Sequence, residues 1–283
     1  MIELAAAFAV AGAASNAVGT AFQRKAASAS SRGGIRLLAE LVRRPAWVLG
    51  MAGVTGAALF QSLALVNGPL ALVQPLFILE LPFALLVAGP IMHRRMPGYG
   101  WWGVAAVVAG LAVLLVAAAP YGARDQASLA RWIPALVLCL GAIAAAVLLA
   151  GQGHSPARRA ALLATGSAIA NALTAAMLKS ATGTFADHGF LAFLRSWQTY
   201  GFALAGIGAV LLLENALQAG PLAAAQPALT IGDAVVSLTL GITLFGEQVR
   251  TGWWLLPEAC GAVLIVVGVL ILSRAVQNIV ERR

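Results

Sequence analysis

The sequence predicts an all-α polytopic membrane protein, with about nine transmembrane helices in two inverted-topology repeats. Three observations lead there. Apolar residues make up 61% of the 283 residues and charged residues 10%, a balance that soluble domains do not have. Apolar runs recur between charged and Gly/Pro breaks, each near the ~20 residues a helix needs to cross a bilayer core of ~30 Å. The chain also repeats itself. Gly68-Pro69 through Gln74-Pro75 returns as Gly220-Pro221 through Gln226-Pro227, an offset of 152 residues (68 to 220), and Trp101-Trp102 returns as Trp253-Trp254. Near the start of each half, Asn16 matches Asn171 and Arg24 matches Lys179, at an offset of 155 (16 to 171).

The spans expected from these runs are 3–23, 45–66, 70–92, 98–118, 132–150, 160–179, 191–213, 222–245 and 251–272. The first is kept as a helix of the mature chain, because Met1-Ile2-Glu3-Leu4 lacks the basic start of a signal peptide. The segment 26–44 is too polar to span. Its Ile35, Leu38, Leu41 and Val42 beside Arg32, Arg36, Arg43 and Arg44 read as an interfacial amphipathic helix. Span 3 carries three prolines, Pro75, Pro82 and Pro90, and span 7 holds Arg195 and Gln198 in its first turns. The organisation is then 1–118 as the first repeat, 119–158 as a linking fifth span with its loops, and 159–283 as the second repeat. Cys139 and Cys260 lie inside apolar runs and read as packing residues, not as a disulfide.

Charge sets the expected orientation. With the N-terminus outside and the C-terminus inside, thirteen of the eighteen Lys and Arg residues face the cytoplasm. The net charge of +8 then serves contact with anionic lipid and not nucleic acid. A composition rich in Ala, Gly, Val and Arg points to a bacterial inner membrane. Five spans separate equivalent points of the two repeats, so the repeats enter the membrane in opposite senses. Such a pseudo-two-fold places a site near the bilayer centre.

With these motifs in view, the chain resembles the drug/metabolite transporter (EamA-like) superfamily, whose tandem repeats each pair a proline-containing helix with a Gly-Glu turn. The turn is present as Phe245-Gly246-Glu247-Gln248, whereas the first half has His93-Arg94-Arg95-Met96 instead. In layout it is most similar to the NIPA-type magnesium transporters. The shared features are nine spans, a basic end to span 1, an interfacial stretch, and a proline element opening span 3, here Gly68-Pro69 through Gln74-Pro75. The resemblance implies secondary transport and leaves the substrate open, since the superfamily carries amino acids, amines, nucleotide sugars and metal ions.

Glu80 and Asp233 are the leading candidate residues. Each sits near the middle of its span, and a 152-residue shift brings them within one position of each other. A charged carboxylate at the bilayer centre costs about 3 kcal/mol or more, so it faces a cavity or a partner. They read as a proton-coupling or substrate-binding pair, or as Mg²⁺ ligands if the chain is a permease. The bland alternative is two neutral acids hydrogen-bonded to neighbouring helices. Gln74 and Gln226, beside Pro75 and Pro227, either join that cluster or only start their helices. Asn16, Asn171 and Gln61 either line the cavity or bond helices together. Glu258 is a secondary candidate that either pairs with Lys179 or Arg250 or stays near the outer interface. Glu214-Asn215 reads as a solvated helix end. The paired tryptophans read as interface anchors. Gly261 and Gly268 share a face of span 9 that suits either internal packing or a homodimer.

No phosphate-binding loop, zinc-spaced His/Cys cluster or nucleophile–base set is present in the sequence. The chain is therefore expected not to be an enzyme and to need no cofactor beyond a coupling proton or cation. The expected function is secondary transport of a small polar or cationic solute by alternating access. The alternatives are a Mg²⁺ permease and a non-transporting membrane scaffold or lipid-handling partner.

Overall fold

A second proline decides where the third span breaks. In the computed structural model, which describes residues 1–28, 44–92, 97–122, 126–152 and 155–281, that span is two helices. The helices in chain order are α1 (Ile2–Ser28), α2 (Pro45–Asn67), α3 (Leu70–Phe77), α4 (Glu80–Met92), α5 (Gly98–Ala118), α6 (Leu129–Ala150), α7 (Pro156–Arg195), α8 (Trp197–Ala219), α9 (Leu222–Phe245) and α10 (Leu255–Glu281). A 3-10 turn over Gly252–Trp254 precedes α10. Between α3 and α4, Leu79 N–H donates to Leu76 O and Leu81 N–H to Ile78 O, both at 3.1 Å and both three residues back. Pro82 has no N–H to give Ile78 O, so regular helix bonding cannot continue there. The repeat mate α9 also contains a proline, Pro227, yet runs unbroken. At the position of Pro82 it has Ala234 (82 to 234).

Among the described residues, nine helical segments are long and apolar enough to cross a membrane. The chain is an all-α multi-pass membrane protein. Most expected spans agree to within a few residues, and two differ. The sixth runs on through a sequence with no proline after Pro156, past Gly166 and Gly183, until Gly189, which takes φ 79° and ψ −176° inside Pro156–Arg195. At ~1.5 Å per residue that helix exceeds a ~30 Å hydrocarbon core and projects beyond it. The seventh span consequently starts at Trp197, not 191, and Arg195 falls in the turn before it. The interfacial segment expected at 26–44 lies almost wholly outside the described residues.

Small residues bring the helices together. In α1 and α2, a Cβ added at Gly19 would stand 2.8 Å from Gly50 O, and Ser15 Oγ donates to Gly53 O at 2.8 Å. In the second repeat, Ser167 Oγ of α7 donates to Ala209 O of α8 at 2.7 Å. The register of the repeats is visible in side-chain contacts: Ala5 abuts Gly68, and Ala160 abuts Gly220. These pairs carry the two sequence offsets, 155 (5 to 160) and 152 (68 to 220).

The repeat-related helices α5 and α10 cross at Gly110 and Gly261. A Cβ on either glycine would lie 2.7 Å from the other's carbonyl oxygen. This reciprocal contact seats the two helices directly on each other's backbone. Gly268 packs the same way onto Val107 and Gly103 O, so the glycine face of span 9 is filled within the chain and does not provide a homodimer surface. Large apolar side chains on α6 and α8, such as Leu138 and Leu204, are exposed, as lipid-facing residues must be. The α7 helix is the most interior.

Candidate functional site

Two polar constellations sit among these helices, one at mid-membrane and one at an end. At mid-height, the Asn171 side chain of α7 faces the Asp233 carboxylate of α9. Ser237, one turn along α9, lies 3.4 Å from the Asp233 carboxylate through its hydroxyl. Asp233 is half-buried, Asn171 is exposed and Ser237 is buried. Glu80 is the first residue of α4, immediately after the break in span 3, and is half-buried. A carboxylate in the first turn of a helix is favoured by the unpaired N–H groups and the helix dipole. The half-helix α3 packs against α9, so the two acid-bearing spans are neighbours.

Asn171 and Asp233 are therefore brought together, as cavity lining or interhelical bonding would require. Gln74 is buried, and its Nε2 has no hydrogen-bond partner among the described residues. Gln226, Asn16 and Gln61 are half-buried on α9, α1 and α2. Of the two readings of Glu258, pairing with Lys179 or Arg250 is not what the structure has. Lys179 pairs with a different acid, and the Arg250 guanidinium lies over the Trp254 ring at 4.9 Å. The Arg250 main chain is committed as well, its N–H donating to Ala118 O at 3.0 Å. Glu258 is left with a buried, unpartnered Oε2 among the described residues. Among those residues no three His, Cys, Asp or Glu side chains converge as a metal site. A cation held by Glu80 and Asp233 would need amide, main-chain or water oxygens as its other ligands.

The second constellation was not among the expected site residues. The α9 helix ends at Phe245, and Gly246 turns the chain at φ 64°, a left-handed conformation that glycine adopts without strain. The next residue, Glu247, folds back into the protein, where it is almost fully buried. Its Oε1 accepts from Leu70 N–H at 2.6 Å and its Oε2 from Ala71 N–H at 2.9 Å. These are first-turn donors of α3, which have no partner inside the helix. Lys179 of α7 completes the set. Its Nζ donates to Glu247 Oε1 at 3.1 Å and to Gly68 O at 2.9 Å, and it lies 5.2 Å from the Phe245 ring centre. Gly241 is required because the Glu247 carboxylate occupies the place its Cβ would take.

The Gly-Glu turn and the Gly-Pro element, which the sequence presents as separate motifs, are thus two halves of one contact between the repeats. The signal for it was the α3 start: two main-chain donors in an apolar span with no local acceptor need one from elsewhere. In the first repeat the positions of Lys179 and Glu247 are held by Arg24 (offset 155) and Arg95 (offset 152). That sequence has no carboxylate to offer.

More contacts gather at this end. Tyr121 and Gln248 exchange main-chain hydrogen bonds of 3.0 and 2.8 Å, tying the loop after α5 to the loop after α9. Gln126 Nε2 donates to Ser180 O and Thr184 Oγ1, each at 2.8 Å. Arg131 donates to Leu244 O at 3.2 Å. Buried Trp132 packs edge-on against Trp197 and Phe245.

No family model matches this chain, and no solved structure matches it. A protein of Corynebacterium glutamicum, described only as uncharacterized, is similar to it, with 27% identity over 276 residues, covering 96% of this chain and 95% of that one. The likeness extends along the whole length and includes both repeats.

Proposed function

We propose that this protein is a secondary transporter of the drug/metabolite type. It moves a small polar or cationic solute across a bacterial inner membrane by alternating access, with the N-terminus outside. The observation that carries the reading is the pair of mid-membrane acids on neighbouring, repeat-related spans. Asp233 is faced by Asn171, and Glu80 opens a half-helix. Discontinuous helices with polar termini at the membrane centre are how inverted-repeat transporters build substrate and coupling-ion sites.

In this account Glu80 and Asp233 take a proton or the cationic group of the solute. Asn171 and Ser237 orient Asp233, and Gln74 offers an amide donor. Mg²⁺ is the second reading. The break at Ile78–Leu79 supports it, because it loosens main-chain carbonyls beside a carboxylate, and oxygen donors suit a hard, partly hydrated cation. Uptake into proteoliposomes separates the two. Mg²⁺ influx that disappears in Glu80→Gln/Asp233→Asn would select the permease. Absence of Mg²⁺ influx, with uptake of an amine or amino acid lost in the same variant, would select the metabolite carrier. Normal uptake of either kind in the double variant would remove the acids from the mechanism.

A further inference from the structure

We propose that the Lys179–Glu247 pair, clamped onto Gly68, Leu70 and Ala71, is the gate that closes the N-terminal face of the transport path. The proposal rests on the transport reading and adds which end is shut and what must break to open it.

Three observations carry it. First, the pair joins the repeats. Glu247 and Lys179 belong to the second, and the α3 start and Gly68 to the first. Rocking of one repeat against the other must change this contact. Second, the two ends of the molecule differ. At the N-terminal face α7 packs against α2 and α3, whereas their repeat mates, α1 against α8 and α9, make no comparable contact among the described residues. A duplicated fold whose repeats are joined at one face has one of the two closures that alternating access needs. Third, the contact differs in kind from the permanent one between α5 and α10. The α5–α10 crossing is glycine on backbone with no polar group to exchange. The lock is an ion pair with three main-chain partners, and water or a competing charge can replace each of its bonds.

The other N-face contacts fit a hinged seal. The Tyr121–Gln248 bridge and the Gln126–Ser180–Thr184 set join loops and helix ends. The first-repeat sequence sets Arg24 and Arg95 where the lock has Lys179 and Glu247. Two cations cannot form the same pair, so the sequence itself favours closure at the N-terminal face.

The test is labelling of Asn171→Cys, in a Cys139→Ala/Cys260→Ala background, with a membrane-impermeant maleimide applied separately from each face of oriented vesicles. Asn171 is exposed and sits beside Asp233, so it reports on the cavity. With the lock intact, labelling should proceed from the face opposite the N-terminus and be at least ten-fold slower from the N-terminal face. Glu247→Gln should raise the N-face rate about ten-fold. Gly241→Ala should do the same without removing a charge, because its methyl group displaces the carboxylate.

Unchanged N-face labelling in both variants, with each folded, would overturn the gate, as would rapid N-face labelling when the lock is intact. Failure of both variants to accumulate as folded protein would also overturn it and assign the pair to folding. No labelling from either face in any form would instead overturn the transport reading beneath it.

Discussion

Replacing Glu247 with alanine strips a buried ammonium of its counter-ion and two helix-start donors of their acceptor in one step. Lys179 is 1% exposed while the lock is closed, so in this arrangement no solvent is at hand to replace the carboxylate. Removing one partner of a buried ion pair costs about 3–5 kcal/mol. The two lost main-chain bonds to a charged acceptor, about 1.5–3 kcal/mol each in isolation, are part of the same carboxylate and are not added to that figure. For a chain of this size, roughly 2–4 °C of melting temperature corresponds to 1 kcal/mol, so the shift expected from Glu247→Ala is about 6–20 °C. Thermal unfolding of the purified protein in detergent, followed by intrinsic tryptophan fluorescence, measures it. Lys179→Met should cost less, because the remaining carboxylate keeps both N–H donors and the favourable end of the α3 dipole. In the double variant Glu247→Ala/Lys179→Met the losses should be less than additive by about 1 kcal/mol or more. A shift below about 2 °C for Glu247→Ala, or strictly additive losses, would refute the view that these groups act as one buried unit.

Gly110→Leu and Gly261→Leu should each reduce the yield of folded protein sharply. The carbonyl that faces each Cβ position at 2.7 Å is backbone and cannot step aside; size-exclusion profiles in detergent would report it. Tyr121→Cys/Gln248→Cys, in a background without Cys139 and Cys260, should form a disulfide on oxidation, since the two residues already exchange main-chain hydrogen bonds. The cross-link should stop uptake, and a reductant should restore it. Asn171→Ala should leave melting within about 2 °C, the scale of one interhelical hydrogen bond, while lowering solute affinity in a binding titration.

Much of this architecture is legible in the residues because lipid imposes so narrow a grammar. A run of about 20 apolar residues must be a helix, and the matched Gly-Pro and Trp-Trp pairs disclose the duplication. Two helix limits were hidden. Residues 180–195 mix Ala, Thr, Gly and charged side chains, so hydropathy ends the sixth span early while the backbone stays helical to Gly189. The break after Phe77 is foreshadowed by Pro82, but only the contrast with Ala234 in unbroken α9 identifies it as the decisive residue.

For the site, Asp233 and Asn171 stand out as isolated polar residues in apolar helices. That they face each other depends on α7 packing on α9, which periodicity does not reveal. Glu247 and Lys179 escaped notice for a related reason. They lie 68 residues apart in sequence, and Glu247 lies 177 from Leu70. A Gly-Glu turn at a span end looks solvated until the tertiary fold buries it. Glu258 offers Lys179 a second acid in the sequence, and only the fold shows that Glu247 takes that place while capping α3.

The most direct measurement pairs uptake with unfolding for a single variant, Glu80→Gln/Asp233→Asn. Removing two carboxylates from mid-membrane relieves a burial cost of about 3 kcal/mol each, so a site that exists for transport predicts a melting temperature equal to or above that of the unmodified protein. Saturable uptake of the transported solute into proteoliposomes, found from a panel of amines, amino acids and Mg²⁺, should be abolished. Retained uptake in a stable double variant would contradict the central role of these acids. So would a protein that neither form allows to carry anything across that panel.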